Sequence, residues 1–85
     1  MYLVNEANAW VKMKSGPDEV VRIIPDFIKN NKVISYKLYV AYDGDDYLGQ
    51  ILFDKQGYWI YDGDVFSVAE QEQLARFIIN HKETF

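Results

Sequence analysis

Apolar and polar residues alternate with a period of two through the middle of the chain and switch to a helical period near its end. Val33-Ile34-Ser35-Tyr36-Lys37-Leu38-Tyr39-Val40-Ala41-Tyr42 is rich in β-branched and aromatic residues, and its even positions are uniformly apolar. That is the pattern of a strand with a buried face. Asp43-Gly44-Asp45-Asp46 reads as a turn, and Tyr47 to Phe53 as a second strand. Asp54-Lys55-Gln56-Gly57 then reads as a type I turn with glycine in the left-handed position, the usual start of a bulged hairpin. A third strand follows from Tyr58 to Tyr61, closed by Asp62-Gly63-Asp64.

From Ser67 the period changes. Ser67-Val68-Ala69-Glu70 is a capping box, in which the serine oxygen accepts from the Glu70 backbone and the Glu70 side chain returns to the serine backbone. Leu74, Ala75, Phe77, Ile78 and Ile79 fall on one side, with Gln71, Glu72, Gln73, Arg76 and Asn80 largely opposite. Glu72 and Arg76 form an i,i+4 pair in the favourable order, and Lys82 suits the negative end of the dipole. The pattern predicts a helix over 67–82.

The first thirty residues carry two competing signals. Tyr2-Leu3-Val4 and Ala9 to Lys14 are able to pair as a short hairpin around Asn5 to Asn8. After Pro17-Asp18-Glu19, the apolar residues Val20, Val21, Ile23, Ile24, Phe27 and Ile28 fit a helix that starts at the proline. Pro25 then falls mid-helix, at a cost of about 3 kcal/mol. The run Val20 to Ile24 fits equally well a strand stopped by that proline. A kinked helix is the preferred reading. The expected architecture is a single α+β domain over residues 1–85: an antiparallel meander of three to five strands, a C-terminal amphipathic helix on one face, and a second short N-terminal helix if the kinked reading holds.

Register sharpens the picture. Pairing Tyr42 with Tyr47 puts Ile34, Tyr36, Leu38 and Val40 on one face with Gly49, Ile51 and Phe53. The opposite face then holds Val33, Lys37, Tyr39 and Ala41 with Leu48, Gln50 and Leu52. A bulge at Gly57 sends Tyr58 and Ile60 to this second face and Trp59 and Tyr61 to the first; without the bulge the pairs exchange. Both faces are apolar either way, and the C-terminal helix covers only one. The second face is expected to be closed by residues 1–31 or to meet a partner.

Composition adds limits. Of 85 residues, 49% are hydrophobic and 16% aromatic, enough for one core and too apolar for disorder. The absence of cysteine removes disulfides, thiolate-held metals and thiol catalysis, and fits a cytoplasmic setting. The first residues lack a basic segment and a long apolar run, so neither a signal peptide nor a membrane span is expected. Net charge is −4 and uneven: residues 1–42 hold six Lys/Arg against four acids, residues 43–85 three against nine. A positive field for nonspecific nucleic-acid binding is missing.

Candidate chemistry is thin. One histidine, His81, at the helix end cannot assemble a triad or a histidine metal site. Ser67 is a cap, Ser15 sits in a Ser-Gly-Pro turn, and Ser35 has no base near it. The five glycines form no phosphate-binding loop. No catalytic residue and no cofactor is assigned. Asp43, Asp45, Asp46, Asp62 and Asp64 fall at one edge of the meander, where turn chemistry explains them and an acidic partner-binding edge or a cation site is the alternative. The aromatic sheet face offers Lys37, Tyr39, Leu52, Tyr58, Trp59 and Tyr61 as partner-binding residues, because Tyr and Trp anchor interfaces. The expectation is a non-enzymatic protein-interaction module (inhibitor, adaptor or homodimer). Single-stranded nucleic acid stacked on the same face is the alternative, and a carboxylate- or metal-dependent enzyme ranks last.

Overall fold

The computed structural model describes residues 3, 5–14, 16–27, 34–42, 46–54 and 56–80. They form five strands and one helix: β1 (Ala7–Val11), β2 (Glu19–Phe27), β3 (Ile34–Val40), β4 (Tyr47–Phe53), β5 (Trp59–Asp62) and α1 (Val68–Ile79). The strands make one antiparallel sheet in the order β1-β2-β3-β4-β5, so every strand pairs with its neighbour in sequence. The α+β meander with a C-terminal helix is the architecture the periodicity predicts.

The C-terminal half follows its local signals, but the β3–β4 register is not the Tyr42–Tyr47 pairing: Tyr36 lies opposite Ile51 and Leu38 opposite Gly49, and a shift between Leu38 and Tyr39 brings Tyr39 opposite Tyr47. The slip from the expected register is two residues, so Tyr36, Leu38, Ile51 and Phe53 keep their common face. At the start of α1 the Glu70 backbone donates to Ser67 Oγ at 3.4 Å, and the Ser67 backbone donates to Glu70 Oε1 at 2.7 Å. Asn80 caps the other end, and the predicted extension through Lys82 lies outside the described residues. The β4–β5 turn has the expected chemistry: Gly57 is left-handed at φ 90°, and its N–H donates to the Asp54 carbonyl. Phe53 pairs with Trp59 and Leu52 with Ile60, which is the bulged register.

The N-terminal third departs from the helical reading. Residues 19–27 are a strand, β2, set between β1 and β3, and no helix precedes the sheet among the described residues. Its β-branched residues suit a pleated surface, and the location of Pro25 removes the objection to a strand. β1 stops opposite Ile23, so at Pro25 one side of β2 is already a sheet edge. A residue without an N–H is tolerated there, whereas in a helix interior it is not. Of the short hairpin expected between residues 2–4 and 9–14, Tyr2 and Val4 lie outside the described residues. β1 pairs with β2, from Ala7 opposite Ile23 to Val11 opposite Glu19, and the Leu3 N–H donates instead to the carbonyl of Ile78 at 2.9 Å.

The core lies between α1 and one face of the sheet. Ala9, Val11, Val21, Ile23, Tyr36, Leu38, Ile51 and Phe53 point to it from the strands, and Leu74, Ala75 and Ile78 from the helix. Burial of each large aliphatic side chain contributes on the order of 1.5–3 kcal/mol. Tyr36 is wholly enclosed: its hydroxyl donates to the Leu3 carbonyl at 2.8 Å, and its ring meets Phe53 edge-on at 5.6 Å.

Polar side chains fasten α1 to the β1 end of the sheet. Gln73 accepts from the Lys12 N–H at 2.8 Å and donates to the Lys12 carbonyl at 2.9 Å. Glu70 Oε2 accepts from the Lys14 N–H at 2.8 Å. The capping glutamate therefore serves both the helix and the β1–β2 connection. Backbone donors from Ser67 and Lys14 hold its carboxyl below the ordinary value of 4.5.

Candidate functional site

Side chains alternate across a strand, so the register that fills the core also defines an opposite, outer face. It carries Trp10 from β1, Val20, Arg22 and Ile24 from β2, Lys37 and Tyr39 from β3, Leu52 from β4 and Ile60 from β5. The described residues among 1–31 do not close this face. They widen the sheet edge to edge as β1 and β2, and α1 lies on the inner side. Among the described residues no element covers the outer face. Trp10 is 75% exposed, Tyr58 72% and Ile60 65%.

The centre of the face is polar and internally paired. Arg22 Nε lies 3.3 Å from Glu6 Oε1, and its guanidinium sits 5.7 Å from the Tyr39 ring centre. Tyr39 in turn tilts against Tyr47 with ring centres 5.5 Å apart. Lys37 Nζ is 3.9 Å from Asp26. Ser35, only 1% exposed, donates from Oγ to Gln50 Oε1 at 2.6 Å, and Gln50 Nε2 donates to Asp62 at 3.1 Å. These contacts link side chains across four adjacent strands, β2 to β5.

At the β5 edge the surface becomes concave. A groove of about 300 Å³ is lined by Leu52, Phe53, Asp54, Tyr58, Trp59 and Ile60. Leu52, Tyr58 and Ile60 bring it onto the outer face, and it sits against the hairpin built by Gly57. A second recess of about 240 Å³ lies on the inner side between α1 and Trp59, with Glu72 and Arg76 at its mouth.

Of the partner-binding residues read from sequence, Lys37, Tyr39, Leu52 and Tyr58 share the outer face. Trp59 and Tyr61 point inward, half-buried against the core. Tyr61 packs on Phe66, donates its hydroxyl to the Leu48 carbonyl and accepts from the Val65 N–H. Its ring also crosses Gly49, which is left-handed at φ 113°. Trp10 and Ile60 are outer-face residues missing from that set. Alternation of Asn8 and Trp10 with Ala9 and Val11 is the signal that finds Trp10, once the segment is read as a strand.

The acidic edge is only partly in view. Asp43 and Asp45 lie outside the described residues, whereas Asp46, Asp62 and Asp64 are all exposed. Asp62 is engaged by Gln50, and the Asp46 carbonyl accepts from Val40 at 3.0 Å. Among the described residues no three His, Asp or Glu side chains gather in a way that suits a metal ion, and no helix is long and apolar enough to cross a membrane. Compared with known proteins, the chain matches no family model, no curated protein and no solved structure.

Proposed function

We propose that this chain is a non-enzymatic protein-interaction module that docks through the outer face of its sheet. The observation that carries the reading is a sheet face opposite the helix with no described element over it, where exposed Trp10, Tyr47, Tyr58 and Ile60 surround a polar centre. Exposed apolar patches of more than a few hundred Å² mark interaction sites in soluble proteins. The internal pairing of Ser35, Gln50, Asp62, Arg22 and Tyr39 supports the reading further, since side chains already held in place lose little freedom on binding. Partner chemistry on this surface is mixed: aromatic and aliphatic at the edges, with compensated charge at the centre.

The nucleic-acid alternative relies on Tyr39 stacking beside Lys37 and Arg22. Both cations stand next to carboxylates of the same chain, Asp26 and Glu6, which compete with phosphate for them. A protein partner is therefore preferred, and the absence of cysteine is consistent with a module working in the cytoplasm.

The test is a comparative pull-down with tagged chain, with bound proteins identified by mass spectrometry. A specific partner is retained by the parent and by Val68→Ala, a control on the exposed helix surface. Tyr39→Ala and Ile60→Asp lose it. A partner held equally by all four proteins contradicts docking at this face.

A further inference from the structure

The protrusion and the recess of the outer face occupy opposite corners of the sheet. Trp10 pairs with Val20 on the β1 edge, beyond the Val40 end of β3. The groove sits at the β5 edge beside Phe53, which pairs with Ile34 at the other end of β3. We infer that the partner on this face is a second copy of the same chain, in a two-fold pair where Trp10 of each copy enters the β4–β5 groove of the other. The inference rests on the reading of the outer face as a docking surface.

A two-fold interface is self-complementary: if residue i of one copy meets j of the other, j also meets i. An axis lying in the interface at right angles to the Trp10–groove diagonal exchanges the two corners, so a single geometry satisfies both contacts. The recess of about 300 Å³ is of the size of the smallest ligand pockets and admits one aromatic side chain. Its lining is mostly apolar, which suits the indole ring, with Asp54 as the one charged residue among those named.

Area points the same way. Five strands about 4.8 Å apart and roughly 20 Å long give a flat footprint of roughly 450 Å². Side chains standing off that plane raise the accessible area toward the roughly 800 Å² per partner of a standard interface. Charge opposes the pairing only weakly. Arg22 and Lys37 bring their own carboxylates, Glu6 and Asp26, so these groups meet as neutral pairs, while Asp62, bonded by Gln50, and Asp54 in the groove add negative charge at the β5 edge.

Sedimentation equilibrium of the full chain, from about 1 μM to about 1 mM, tests the inference over the range of weak to moderate affinity. The mass is expected to rise from 10.0 kDa toward twice that value. Trp10→Ala and Ile60→Asp each weaken association by at least about tenfold, with Tyr58→Ala as a second groove variant and circular dichroism confirming an intact fold. Mixing Trp10→Ala with Ile60→Asp restores part of the affinity, because the mixed pair keeps one whole contact while each variant alone keeps neither. A chain that stays at 10.0 kDa throughout overturns the inference, as does a dimer indifferent to these substitutions or a mixture no tighter than its components. If the chain is monomeric yet retains a foreign protein in a Tyr39-dependent way, self-pairing fails and the docking face stands. Loss of both removes the broader reading too.

Discussion

Ile51 and Ile60 sit on adjacent strands and face opposite ways. Ile51 is fully enclosed between β3, β5 and α1, and Ile60 is 65% exposed on the outer side. The two positions look alike in sequence, each an isoleucine in an alternating strand, yet one belongs to a closed core and the other to open surface. The inner face has a helix whose Leu74, Ala75 and Ile78 complete its packing. The outer face has no such layer among the described residues, and its polar centre is linked laterally instead. Apolar character alone therefore does not decide burial; the number of layers does.

The comparison is most strongly tested by truncation. Ile51→Ala is expected to destabilise the fold by about 2–5 kcal/mol, since it removes buried atoms and leaves a cavity. Gly49→Ala comes next, at about 2–3 kcal/mol, because the residue is left-handed and a Cβ there falls 2.7 Å from the Asp62 carbonyl and the Tyr61 ring. Ser67→Ala removes the N-cap that seats the helix and is expected to cost about 1 kcal/mol. Ile60→Ala is expected to stay within about 0.5 kcal/mol. Urea denaturation of dilute protein ranks all four, and a loss at Ile60 equal to that at Ile51 would erase the distinction between the faces.

A pH series sharpens the inner side further. Glu70 holds its proton less readily folded than unfolded, because backbone donors favour the carboxylate. Its contribution is fully present above the unfolded value of 4.5 and is lost as pH falls below it through the lower folded value. Glu70→Gln is expected to flatten part of the acid-side decline, measured by denaturation between neutral pH and about pH 3. Identical acid profiles for the two proteins would separate Glu70 from the pH dependence of the fold.

Legibility in the sequence followed how local each signal is. The capping box of α1 and the Asp54–Gly57 turn depend on neighbours within four residues, and both form as their residues dictate. β2 did not yield to the same treatment. Whether Pro25 is tolerable in a strand depends on β1 ending opposite Ile23, a fact of tertiary pairing that no window around the proline contains. Trp10 is different: the alternation of Asn8 and Trp10 with Ala9 and Val11 already sets its face, and only the strand it pairs with, β2, lies beyond a local window. Tyr39, Leu52 and Tyr58 were legible because strand parity and the Gly57 bulge suffice to orient them. Trp59 and Tyr61 turned on that bulge, and the register directs them inward.

The links from Leu3 to Ile78 and from Lys12 to Gln73 connect opposite ends of a chain whose strands otherwise pair only with sequence neighbours. Hairpins of that kind close small loops, whereas seating the helix closes one that contains the whole sheet, at a greater entropic cost. The expected order of assembly is ribbon before clasp, with φ-values of substitutions at Leu3 and Ile78 near zero and those within β3 and β4 appreciably higher. High values at the clasp would reverse that order.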